Sequence, residues 1–241
     1  MNNTMLLTLL QTTLDTTAGS IIPVQEEINF SLFEMAIKGG WLMIVLAVLS
    51  VIAIYIFGER WWAIRKAGNI DKNFMKDIND YILDGKVKSA VSLCRKTDSP
   101  IARMIEKGVE RIGRPLPDIQ TAVENIGNLE VSKLERGLPF LATIAGGAPM
   151  IGFLGTVIGM VQAFFNMSQA GSNIDITLLS GGIYTAMITT VGGLIVGIMA
   201  FFGYNYLTGQ VSDVVFKMEN STIEFMDTLQ GKPAKSSKEE L

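Results

Sequence analysis

Hydrophobic positions follow two regimes along this chain. In 41–57 and again in 137–207 they run almost unbroken: the first stretch has no charge, and Asp175 is the only acid or base anywhere in 137–212. Elsewhere they recur every three or four residues among polar ones, the period of an amphipathic helix. The first regime predicts membrane spans, since about 20 apolar residues at ~1.5 Å each cross a hydrocarbon core of ~30 Å. The short polar run 168–175, which contains Asp175, divides the long stretch into two spans joined by a tight hairpin.

The second regime predicts helices without strand alternation. Phe74, Ile78, Tyr81 and Ile82 share one face, ended at Asp84-Gly85, and Val87, Ala90, Val91 and Cys94 form the next, ended at Ser99-Pro100. Ile101, Met104, Ile105 and Ile112 make a third helix. Pro115 to Asp118 open a fourth, with Asp118 as its cap and Ile119, Ala122, Val123 and Ile126 on one face. No polar stop separates this helix from the second span, so the pattern predicts one continuous helix of about 50 residues. Val211, Val214, Val215, Met218, Phe225, Met226 and Leu229 predict a second such helix leaving the third span. Their apolar stripe is expected to be covered by another copy of the chain, with Val214 and Met218 in the seam.

Composition sharpens this picture. The chain of 241 residues is 49% hydrophobic and only 18% charged, with a mean hydropathy of +0.35, whereas a soluble domain is expected to be roughly a quarter charged, with a hydropathy below zero. Trp41 and Trp61-Trp62 bracket the first span like interfacial belts, and Arg60, Arg65 and Lys66 follow as a stop signal. Of the 20 Lys and Arg, 15 lie in 60–136 and four after Leu207. The positive-inside rule then puts those segments in the cytoplasm. The expected order is a periplasmic extension with an interfacial helix (1–38, the helix at 28–38), span one (39–58) and a cytoplasmic helical domain (59–136). Span two (137–167), a periplasmic loop (168–175), span three (176–207) and a cytoplasmic extension with a disordered tail (208–241) complete it. Met5 to Leu10 is apolar and Ala18 to Ser20 looks like a cleavage site, yet no Lys or Arg precedes Lys38, which argues against a cleaved leader.

Absences narrow the chemistry. There is no histidine, and the lone Cys94 sits on an apolar stripe as a packed thiol, so His- or Cys-based hydrolysis, zinc and haem lack their residues. No cofactor or metal is expected, and the chain is not expected to be an enzyme. A net charge of −3 gives nucleic acid nothing to bind, leaving other proteins and membrane lipids as partners. Within the spans, small residues dominate. Gly155 with Gly159 and Gly193 with Gly197 form small-xxx-small patterns that let helix backbones approach closely in lipid. Beside them stand hydroxyls: Thr143 and Thr156 in span two, Thr185, Thr189 and Thr190 in span three. A threonine can satisfy itself on its own helix carbonyl, but five beside glycine suggest a faintly polar lumen. Pro139 and Pro149 would loosen span two nearby.

LERGLPFLATIA (134–145), APMIGFLGTVIGM (148–160) and GIYTAMITTVGGL (182–194) together resemble the signature of the MotA/TolQ/ExbB proton-channel family. Asp84-Gly85-Lys86 and Ser99-Pro100-Ile101-Ala102 are similar to its cytoplasmic helical-repeat element. The resemblance implies an all-α integral membrane protein of the bacterial inner membrane with three transmembrane helices and long cytoplasmic helical extensions. It implies a homopentameric ring around a dimer of a single-span partner of the ExbD, TolR or MotB type, whose membrane aspartate takes up the ion. Thr156 and Thr190 match the threonines facing that aspartate, with Thr185 and Thr189 next to them. Many family members carry a glutamate at the position of Thr185, so no carboxylate role transfers, and sodium stays open beside the proton. The extension before the interfacial helix is similar to the ExbB branch, which uses the proton motive force to energise TonB-dependent transport across the outer membrane through a TonB-type transducer. A TolQ-like or gliding-type motor subunit, or a non-conducting scaffold, is the alternative.

Overall fold

The computed structural model describes residues 40–71, 73–169 and 176–231, with no side chains given for 176–178. The interfacial helix at 28–38, the leader question, the hairpin with Asp175 and the tail lie outside these residues. Among the described residues every regular element is a helix. They are α1 (Trp41–Ala67), α2 (Phe74–Leu83), α3 (Val87–Lys96), α4 (Pro100–Val109), α5 (Leu116–Glu135), α6 (Leu138–Gln169) and α7 (Ile176–Leu229).

Among the described residues three helices are long and apolar enough to cross a membrane: α1, α6 and α7. Their faces away from one another carry Val51, Phe153, Phe165 and Phe201, each more than half exposed. A bilayer accepts such a surface and water does not. Among the described residues the most extensive helix–helix contact is between α6 and α7, with α1 laid against α7.

One expectation fails at Arg136-Gly137. The helix does not run unbroken into the apolar segment: α5 stops at Glu135 and α6 starts at Leu138. Gly137 takes φ +94°, a left-handed conformation that costs a glycine little and other residues 1–2 kcal/mol or so. Pro139 follows, and a proline without N–H belongs in the first turn of a new helix. α7, by contrast, runs unbroken for 54 residues, roughly 80 Å.

The helix starts differ in detail from their sequence reading. Ser99 caps α4, its Oγ accepting from the Ala102 N–H at 3.1 Å, with Pro100 as the first helical residue. α5 begins at Leu116 rather than being capped by Asp118, whose carboxylate lies in the first turn near the positive end of the helix dipole. α4 ends at Val109, and Ile112 packs onto the core from the turn beyond it.

The core outside the apolar segment joins α2 to α5 with the far half of α7. Ile78, Ala90, Ile105, Val123 and Phe225 are all fully buried. Cys94 is 1% exposed, and burial, aided by the nearby Glu106 charge, pushes its thiol up to about 12. Such a thiol is inert at neutral pH. Val214 and Met218 are each 3% exposed and lie in this same core. They therefore do not form a free seam for another copy; α7 keeps its own soluble helices on that face and leaves Phe216 and Ile223 exposed instead.

Where α7 meets α4 there is no spare volume. A Cβ on Gly108 would lie 2.5 Å from the Phe225 ring and 2.8 Å from Val123 Cγ2. Gly108→Ala is expected to cost about 1–3 kcal/mol of stability, read as a lower melting temperature in detergent. Gly209→Ala, with nothing within 4 Å, should hold or slightly raise it.

Candidate functional site

The apolar helices α6 and α7 touch through their glycines. A Cβ on Gly193 would meet Ala148 O at 2.5 Å and Gly152 Cα at 2.9 Å, and one on Gly197 would meet Pro149 Cγ at 2.5 Å. One on Gly159 would meet Ala186 Cβ at 2.7 Å, and one on Gly155 would overlap the Thr189 side chain. These four glycines thus lie in the seam, and Gly152 and Ala186 lie there with them. Close approach of this kind gains dispersion contact where lipid offers no hydrophobic drive.

The close approach sets the threonines. Thr156 Oγ1 on α6 and Thr190 Oγ1 on α7 are 3.2 Å apart. Thr156 also donates to Phe153 O at 2.6 Å and Thr190 to Gly152 O at 3.0 Å. Two hydroxyls own two protons, yet three hydrogen bonds are within reach. At any moment one is unmade, so either hydroxyl can turn from a backbone carbonyl to its neighbour or to an incoming group. Both also keep lone pairs for water or a protonated acid.

The other candidates are placed differently. Thr189 is 2% exposed and bonds Ala186 O at 2.7 Å with a longer reach of 3.4 Å to Gly152 O. Its hydroxyl is turned into the seam. Thr185 is half-buried, one turn from Thr189, and takes no part in the Thr156–Thr190 pair. Thr143 is exposed and donates to Pro139 O on its own helix. Pro149 lies inside α6, so Ala145 O loses its helical donor close to Gly197.

Sequence reasoning missed the role of Gly152, whose carbonyl receives both Thr189 and Thr190. It also missed a charged relay outside the apolar segment. Lys66 at the end of α1 pairs with Asp98 at 2.7 Å, Asp98 with Arg103 at 2.9 Å, Arg103 with Glu130 at 2.7 Å and Glu130 with Lys133 at 2.6 Å. Glu130 is only 4% exposed along its side chain. Burial alone would push its carboxyl up, but hydrogen bonds from Arg103 and Lys133 outweigh it and hold the group below its ordinary range. The signal was there in the spacing: Glu130 continues the core stripe Ile119, Val123, Gly127, Leu134 of α5.

The model of the MotA/TolQ/ExbB proton channel family matches residues 96–220, just over half the chain and all of the α6–α7 seam. The chain belongs to this family. Among relatives, an ExbB homologue of Methanothermobacter thermautotrophicus is 29% identical over 195 residues, 80% of this chain and 69% of that protein. The biopolymer transport protein ExbB of Neisseria meningitidis is 27% identical over 183 residues, covering 69% and 79%. The Tol-Pal system protein TolQ of Haemophilus influenzae is 37% identical over 102 residues, covering 42% and 44%. This MotA/TolQ/ExbB family member is therefore a multi-pass membrane protein and a channel or motor subunit of the ExbB/TolQ type.

Proposed function

We propose that this chain is the ring-forming subunit of an inner-membrane motor that uses the proton motive force to energise TonB-dependent transport across the outer membrane. The N-terminus and the 168–175 loop are periplasmic; α2 to α5 and the far half of α7 are cytoplasmic. Five copies surround a dimer of an ExbD-type single-span partner, which supplies the acid that carries the ion. A TonB-type transducer receives the output. The observation that carries the reading is the Thr156–Thr190 pair at 3.2 Å, on helices that have no Asp, Glu or Lys in 138–169 or 176–212. Threonine does not ionise at accessible pH, but its hydroxyl can stabilise a partner carboxylate and lower its otherwise raised pKa. Protonation then neutralises that acid, lets it leave the polar pair and permits rotation of ring against partner.

Thr156→Val and Thr190→Val remove the hydroxyls at nearly constant shape. Both should keep the ring and cut partner-dependent proton flux into liposomes at least tenfold, whereas the chain alone should leak no faster than empty vesicles. Normal flux in both variants, or equal conduction without partner, overturns the mechanism.

Native mass spectrometry in mild detergent should show a pentamer. Phe216→Asp with Ile223→Asp, on the exposed face of α7, should shift it to smaller species. A dominant monomer in the unmodified protein refutes the ring.

A TolQ-type motor is the second reading, favoured by the 37% identity to TolQ over 102 residues. Co-purification with an ExbD-type or a TolR-type partner separates the two.

A further inference from the structure

An apolar cleft of about 340 Å³ opens between α1 and α7, lined among others by Ser50, Ile54, Phe57, Met199, Phe202 and Tyr206. A second cavity of about 680 Å³ lies between the same two helices beyond Trp62, with Arg65, Asn69, Gln210, Asp213 and Lys217 in its wall. The two lie on one face. On α1 the step from Ile54 to Phe57, Trp61 and Arg65 is three or four residues each time, with Asn69 just past the helix end. On α7 the step from Met199 to Phe202, Tyr206, Gln210, Asp213 and Lys217 is likewise three or four. Residues spaced this way lie above one another on a helix. The Phe57 and Tyr206 rings, 6.4 Å apart, mark the junction.

The groove thus changes from wholly apolar to cationic along its length. Arg65 sits over the Trp61 ring at 5.5 Å, and Lys217 donates to Gly68 O at 3.2 Å. Neither makes an ion pair among the described residues, whereas Lys66 is engaged by Asp98. Asp213 is the only acid in the wall of the cavity. Arg65 lies eight residues past Phe57, roughly 12 Å along the helix, and a long side chain beside tryptophan can reach back to the headgroup layer.

We propose that this groove is a binding site for an anionic phospholipid, with one acyl chain in the apolar cleft and the phosphate against Arg65 and Lys217. A zwitterionic lipid would bring its own cation to an already cationic cavity, so charge complementarity selects a headgroup such as phosphatidylglycerol. The inference rests on the membrane reading above, with the Arg65 end of α1 in the inner leaflet.

The full chain, purified in mild detergent, is titrated with phosphatidylglycerol and with phosphatidylcholine of the same acyl chains, and adducts are counted by native mass spectrometry. The unmodified protein should retain phosphatidylglycerol preferentially. Arg65→Gln with Lys217→Gln, which keeps a donor for Gly68 O, should lower that preference at least tenfold. Asp213→Asn should hold or raise it, which separates lost recognition from lost folding. Equal retention of both lipids by the unmodified protein, or undiminished preference in the double variant, overturns the site. A ring that changes its copy number in the double variant, with no lipid on the unmodified protein, gives the groove to a second copy instead. An intact ring without lipid preference sinks this inference alone, while a protein that forms no ring sinks the motor reading and leaves the lipid count to stand or fall separately.

Discussion

Gly152→Ala and Gly193→Ala should each force α6 and α7 apart and abolish partner-dependent ion flux. A Cβ on Gly152 would meet Thr189 O at 2.8 Å and the Cα atoms of Gly193 and Thr190 at 3.1 Å. Every one of these neighbours is backbone, so nothing can swing aside. On Gly193 the neighbours are Ala148 O and the Gly152 backbone, again immovable without shifting a helix. Overpacking of this sort costs about 1–3 kcal/mol and occasionally more. The functional loss should be larger than the stability loss. A shift of half an ångström takes the 3.2 Å Thr156–Thr190 contact beyond hydrogen-bond range, and with it the Gly152 O acceptor shared by Thr189 and Thr190. Melting temperature and proteoliposome flux are measured together. Gly146→Ala, with nothing within 4 Å in the chain, is the matched control. Wild-type flux in Gly193→Ala would mean that the seam tolerates separation and that the hydroxyl pair is incidental.

The second large effect is expected at the charged relay. Arg103→Leu leaves the Glu130 carboxylate, 4% exposed, with Lys133 as its remaining partner. Removing one member of a buried pair costs 3–5 kcal/mol in general. Because Arg103 is 41% exposed, a discounted figure of about 2–3 kcal/mol is appropriate here. Arg103→Leu combined with Glu130→Leu should recover most of it, since two apolar side chains leave no stranded charge. A double variant as unstable as the single one would show that Arg103 acts through packing. The pH dependence has a fixed sign. Glu130, Asp98 and Glu110 are all held below their ordinary values. Their contribution is therefore fully present above the unfolded carboxylate range of about 4–4.5 and is lost as pH falls through the lower folded values. Melting temperature measured from pH 7 down to pH 3 should fall most steeply below about pH 4, and less steeply in the double variant.

The apolar regime of the sequence exposed the spans because a bilayer imposes one rule on every lipid-facing position, as at Val51, Phe153 and Phe201. The amphipathic stripes exposed α2, α3 and the Cys94 environment for a similar reason, a single buried face. Two things escaped. The break at Arg136-Gly137 depends on one residue taking φ +94°, which an apolar pattern does not encode, although Gly137 and Pro139 together were a hint. The fate of Val214 and Met218 was lost because an apolar stripe says that it is covered and not by what. The threonines were visible as a group, but only the helix contact separates Thr189, sealed in the seam, from the Thr156–Thr190 pair. The clustering of small residues pointed to the glycine seam, whereas its backbone-to-backbone approach, at Gly193 and Ala148 O, needed the register between α6 and α7.

The break at Gly137 has a mechanical reading. α7 is a single shaft of 54 residues whose far end, at Phe225, is clamped in the core between α2 and α5. α6 is joined in sequence to α5 through the bent joint at 136–137. A twist or tilt imposed on α7 within the bilayer is carried to that clamp by one uninterrupted helix. The same motion imposed on α6 can be absorbed by two backbone torsions at the joint. The two helices that grip each other so tightly through their glycines are thus unequal as transmissions: one is a drive shaft, the other a coupled but compliant follower.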